Sequence, residues 1–155
     1  VWHPRAHMTL YFDDLAAGTV YQLGTVVVDE AELIDFATRY DPQPFHIDHD
    51  AAAASHFGGL IASGWHTCAM FMRLLVDGFT SRTVSMGSPG MDEVRWLAPV
   101  RPGDRLTGSI EIVDTRPSAS KPDRGIVHSR CEMRNQDDVV VLTMRSTAMY
   151  GRRND

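Results

Sequence analysis

Residues 66–79 read HTCAMFMRLLVDGF, and their apolar side chains run almost all the way round a helix, with Arg73 and Asp77, spaced i,i+4, as the main charges. A helix apolar on most faces is a buried helix, so other elements must wrap it. Strands fill the second half of the chain. Residues 105–114 alternate, with Leu106, Gly108, Ile110 and Ile112 on one face and Arg105, Thr107, Ser109 and Glu111 on the other. Residues 126–134 alternate again, 135–138 predict a hairpin turn, and 139–150 predict a long last strand. The polar run RPSASKPDRG between them predicts a flexible loop of ten residues, and the terminal GRRND predicts a frayed tail.

Upstream, residues 20–28 mix β-branched and aromatic types and predict a first strand. DEAELIDFATRY then predicts a helix capped by Asp29, with Glu32 in the capping-box position and Leu33, Phe36, Ala37 and Tyr40 on one face. Pro42 and Pro44 end it. The order is strand, helix, loop, buried helix, then about four antiparallel strands. The expected fold is therefore α+β, a curved antiparallel sheet folded round one long helix. Such a sheet leaves an edge that pairing with a second copy would bury, so at least a homodimer is expected.

Composition narrows the function. A chain of 155 residues is about one domain and large enough for a core without disulfides. A formal charge of −5 argues against nucleic acid, since phosphate binding draws on a basic surface. Cys68 and Cys131 lie far apart in apolar segments and read as reduced thiols. No stretch reaches the ~18 uninterrupted apolar residues of a membrane span. The opening VWHPRAHMTLYF lacks the apolar run of a signal peptide, so a cytoplasmic address is expected.

The chemistry-bearing residues crowd into Tyr40 to Thr67, YDPQPFHIDHDAAAASHFGGLIASGWHT. In Asp41-Pro42-Gln43-Pro44-Phe45-His46 a carboxylate and an imidazole stand five positions apart. An extended proline segment would separate them, at ~3.1 Å per residue, whereas a bent one lets both reach a single water as a general acid/base pair. The other reading is a helix-ending Asp41 and a partly buried loop histidine. Ser63 is a good N-cap for the buried helix, and Gly64 leaves its N–H approachable at a terminus whose free donors suit an oxyanion. Gly58-Gly59 either lets a ligand approach the backbone or makes a turn. His46, Asp48, His49 and Asp50, with His56 and His66 nearby, are metal-ligand types. Downstream, however, only His128 remains, in mid-strand, and no metal is expected. His3 and His7 read as terminal surface residues.

The run Asp41-x-Gln43-Pro44-x-His46, followed by Ala54-Ser55-x-Phe57-Gly58-Gly59-x-Ile61-Ala62-Ser63-Gly64, resembles the MaoC-type dehydratases and (R)-specific enoyl-CoA hydratases. Trp96-Leu97-Ala98-Pro99-Val100-Arg101-Pro102-Gly103-Asp104 is also similar to the family's strand and turn after the helix. The likeness covers most of residues 10–150. It implies a single hot-dog domain over residues 1–155. It further implies an Asp41/His46 dyad that adds water to a trans-2-enoyl thioester, and Gly64 and Ser63 at the oxyanion and substrate site, with Gln43, Gly59 and Trp65 beside them. Coenzyme A would enter as part of the substrate, with no separate cofactor, and Arg82, Arg95, Arg101 and Arg124 are candidates for its phosphates. Gln43 stands where the family commonly has Asn, Arg39-Tyr40 replaces smaller residues, and Trp65 and His66 are bulkier than usual. Trp65 would shorten or reshape an acyl pocket. The alternatives are a hot-dog thioesterase, whose carboxylate usually lies on or beside the central helix where only Asp77 is available, and a non-catalytic acyl-thioester-binding subunit.

Overall fold

The computed structural model of the chain describes residues 8–154. Five antiparallel strands form one sheet: β1 (Val20–Val27), β2 (Gly90–Trp96), β3 (Arg105–Pro117), β4 (Arg124–Arg134) and β5 (Val140–Gly151), in the order β1-β3-β4-β5-β2. Four helices interrupt the strands after β1: α1 (Glu30–Tyr40), α2 (Pro44–Ile47), α3 (His49–Ala54) and α4 (Gly64–Gly78). The sheet curls round α4, whose Met70, Phe71 and Leu74 join Leu106, Ile110, Ile112, Met133 and Leu142 in one core. This is the hot-dog arrangement. Burying one such side chain as large as Phe71 contributes roughly 1.5–3 kcal/mol. Gly78 closes the packing, because a Cβ there would sit 2.9 Å from the Leu23 backbone of β1.

The inward residues of β3 are those its alternation predicts: Leu106, Gly108, Ile110 and Ile112 are buried. β2 carries no such alternation. It is an edge strand without a fully buried residue, so the sequence gives its bounds no signature. The loop after β3 is shorter than the polar run suggests, since Arg116 and Pro117 still pair with Ile126 and Gly125. The tail is held rather than frayed through Arg153. Its backbone donates to Asp13 (2.9 Å), its guanidinium makes two 2.7 Å bonds to Asp14, and it stacks on Tyr11.

In α1 the Asp29 carboxylate accepts from the Glu32 N–H at 2.9 Å, and Leu33 and Ala37 are fully buried. Tyr40 departs from the expected face. It is 72% exposed at the helix's last turn, resting its ring on Phe36. α4 departs too, since only one of its sides meets the sheet, and Trp65, Met72 and Val76 remain exposed. Its near-uniform apolarity therefore reflects two surfaces, one covered within this chain and one open.

Candidate active site

α1 ends where the chemistry begins. Asp41 is its C-cap, with its N–H bonded to Ala37 O at 2.8 Å, and Pro42 has no N–H with which to continue the ladder. Pro44 then opens the single turn α2, because a proline at a helix's first position gives up no bond. That turn supplies the bend. It carries His46 back until its Nε2 lies 3.3 Å from Asp41 Oδ2. His46 is buried and its Nδ1 lies 2.7 Å from the Ile61 carbonyl. A carbonyl only accepts, so Nδ1 carries a hydrogen and Nε2 faces the carboxylate.

Asp41 is held on both oxygens. Gln43 Nε2 donates to Oδ1 and Ser63 Oγ donates to Oδ2, each at 2.7 Å. Burial pushes this carboxyl's pKa up, but the Gln43 and Ser63 donors together with His46 outweigh it and leave it below the ordinary 3.8. The group is an anion at neutral pH.

Ser63 corrects the sequence reading. It occupies the N-cap position of α4, yet its hydroxyl makes no cap and goes to Asp41 instead. The first N–H groups of α4 are thus left without a side-chain partner at the end of the helix that carries partial positive charge. Ser63 is itself fully buried, next to Ala62, whose N–H bonds Val100 O at 2.8 Å. Gly64 follows, and its missing side chain has a local cause: a Cβ would lie 2.6 Å from Cδ2 and 2.8 Å from Nε1 of Trp96. The Trp96 indole N–H donates to Gly64 O at 2.8 Å.

Asp41, Gln43, His46, Gly64 and Trp65 line one open cavity of about 430 Å³. Ser63 reaches it through Asp41. Gly59 does not line it, and a Cβ at that position would meet the guanidinium of Arg101 at 3.3 Å. Phe57, Ile61, Trp96, Leu97 and Val100 make much of the apolar wall. Sequence reasoning left all five without a role, and of them Trp96 is the one bonded to the start of α4. Its one signal was a glycine at the first position of an apolar helix, which implies a close neighbour.

The four arginines proposed for phosphates are engaged elsewhere. Arg101 donates to Phe57 O at 2.6 Å, Arg82 to Gly78 O at 2.9 Å, Arg95 pairs with Glu93, and Arg124 with Asp123 at 2.8 Å. None lines the cavity. The other histidines scatter: His49 faces Glu30 at 3.5 Å, His56 packs on Phe57, His128 bonds Thr147, and buried His66 faces Glu32 at 3.3 Å while stacking on Phe36. Among the described residues no three metal-ligating side chains converge. His3 and His7 lie outside those residues. A larger recess, about 600 Å³, lies over β1, β3 and the β4–β5 turn, but there Arg134 is paired with Glu132 and Asp138. It holds no comparable dyad.

Residues 14–130 match the family model described as a MaoC like domain. The crystal structure of the MaoC-like dehydratase from Rhodospirillum rubrum superposes with a TM-score of 0.84 at 40% identity, covering 94% of this chain and 99% of that one. The uncharacterized protein YdeM of Bacillus subtilis (strain 168) is 30% identical over 131 residues, 84% of this chain and 91% of its own. The 3-hydroxyacyl-thioester dehydratase Z of Mycobacterium tuberculosis is 35% identical over 106 residues, 64% of this chain and 70% of its own. With the family model spanning most of the chain, and with the hot-dog sheet and the Asp41–His46 bend in place, this protein belongs to the MaoC-like family.

Proposed function

We propose that the chain is a hydratase/dehydratase that adds water across the double bond of a trans-2-enoyl thioester to give a (3R)-3-hydroxyacyl thioester, or runs the reverse. The observation that carries this reading is the meeting of the Asp41 carboxylate with His46 Nε2 and the Ser63 hydroxyl beside the amino end of α4. An anion and an imidazole nitrogen at that separation can share one water, each accepting one of its hydrogens. The water oxygen attacks C3, its lone pair forming the C–O bond. A proton passes from water to the dyad, and a proton from the dyad goes to C2 as the π pair becomes the C2–H bond. The addition is balanced without an oxidant or a metal. Negative charge grows on the thioester oxygen, and the free N–H of Gly64 is the donor assigned to it. One such donor is worth ~10²–10³ in rate, and general acid–base help ~10²–10⁴.

The cavity lining carries one carboxylate and, among the described residues, no Lys or Arg, which suits a neutral acyl group. Coenzyme A is the carrier in this reading, with its phosphates outside the cavity, and no other cofactor takes part. A thioesterase on this fold usually carries its carboxylate on or beside α4, and on the helix itself only Asp77 is available, exposed at the far end and tied to Arg73 at 2.7 Å. The exposed apolar face of α4 and the free edge of β2, with Met91, Trp96 and Leu97 exposed there, support pairing with a second copy of the chain. Crotonyl-CoA tests the reaction in one cuvette: loss of enoyl absorbance with no free thiol supports hydration, and thiol release at the same rate overturns it.

A further inference from the structure

We propose that Trp96 sets the length of the acyl group, confining the substrate to short-chain enoyl thioesters. This rests on the hydratase reading and extends it to the substrate. The indole of Trp96 is fixed rather than free to swing. Its N–H is bonded to Gly64 O at 2.8 Å, and Trp65 meets it edge-on with ring centroids 5.1 Å apart. These two contacts, both at the first residues of α4, hold it in place.

That place is the cavity of the dyad. Trp96 lines the same 430 Å³ as Asp41, His46 and Gly64, and the space beside Gly64 Cα is already filled by its ring. Ligand sites commonly run from about 300 to 1,000 Å³, so this cavity is at the small end and must admit the acyl group, a water and the first atoms of the carrier. An acyl chain in an open apolar groove gains roughly fourfold in kcat/KM for each methylene buried. In this inference the indole, one of the residues lining the cavity, stands across the path of the acyl chain, so that gain stops there and added methylenes meet the ring.

The test is kcat/KM for hydration of crotonyl-, hexenoyl-, octenoyl- and decenoyl-CoA by the wild-type protein, Trp96→Leu and Trp96→Phe. Wild type is expected to fall by about tenfold or more from crotonyl- to decenoyl-CoA. In Trp96→Leu the decenoyl-to-crotonyl ratio is expected to rise at least about tenfold, with Trp96→Phe between the two. Parallel profiles in wild type and a folded Trp96→Leu overturn the inference. If neither variant folds, the wild-type profile decides alone, and equal use of decenoyl- and crotonyl-CoA overturns it. No hydration of any chain length by wild type overturns the hydratase reading itself, and the inference with it.

Discussion

The Ser63 hydroxyl, standing where a helix cap would be, donates instead to Oδ2 of Asp41 at 2.7 Å. One bond thereby joins the end of α1 to the start of α4, fixes the carboxylate opposite His46, and leaves the helix terminus open. A hydrogen bond to a charged group contributes about 1.5–3 kcal/mol. Ser63→Ala is therefore expected to lower kcat for enoyl hydration by roughly 10- to 100-fold in a chain that still melts cooperatively, with Tm lower by several degrees for the lost bond between α1 and α4. Steady-state kinetics beside thermal melting checks it. A Tm collapse with kcat intact would assign Ser63 to the fold alone.

Gln43 governs the acid side of the pH profile. Burial alone would push Asp41 up, and Gln43 is the strongest of the groups that hold it below 3.8. In Gln43→Ala the Asp41 pKa rises, so the acid limb of kcat/KM moves to higher pH. The linkage to stability has the same sign. A carboxyl with a lowered folded pKa stabilises the fold fully above its unfolded value of 3.8 and loses that contribution as pH falls through the folded one. The stability difference between wild type and Asp41→Asn is expected to shrink only below about pH 3.8, measured by denaturant melts across pH.

Gly64 and Trp96 form a pair that changes together. Gly64→Ala drives its Cβ into the indole, so lower stability and a displaced Trp96 are expected. Adding Trp96→Leu to Gly64→Ala opens the space and is expected to recover part of the loss. A double-mutant cycle with a coupling of about 1 kcal/mol or more supports the contact, and additive effects contradict it.

Buried His66 joins α1 to α4 from the side away from the dyad. Its Nδ1 has no partner, and its Nε2 reaches a Glu32 that is two-thirds exposed. Packing on Phe36 is therefore worth more than the polar contact. His66→Ala is expected to cost about 2–4 kcal/mol, and Glu32→Ala under about 0.5 kcal/mol, by chemical denaturation.

The architecture was legible where burial imposes a period. α1 and the inward residues of β3 show it in the sequence because each has one face in the core. β2 did not, because an edge strand that buries no face keeps no alternation. The outer face of α4 misled for the opposite reason: Met72 and Val76 are apolar without being covered in this chain. In the site, the spacing of Asp41 and His46 allowed a dyad or a helix end beside a loop histidine, and the family resemblance implied the dyad. Their meeting could not be read from spacing, because it depends on Pro44 starting a turn rather than extending the chain. One donor to Asp41, Ser63, comes from 22 positions away, and Trp96 of β2 reaches Gly64 from 32 positions away. Contacts of that range leave no local pattern.

The dyad is tested most directly by the initial rate of crotonyl-CoA hydration in Asp41→Asn and His46→Ala, each checked for a native melting transition. The expected result is a fall of at least about 10³-fold in both, the joint loss of a base and the water it orients. Near wild-type rates in either folded variant would remove that side chain from the reaction and contradict the mechanism.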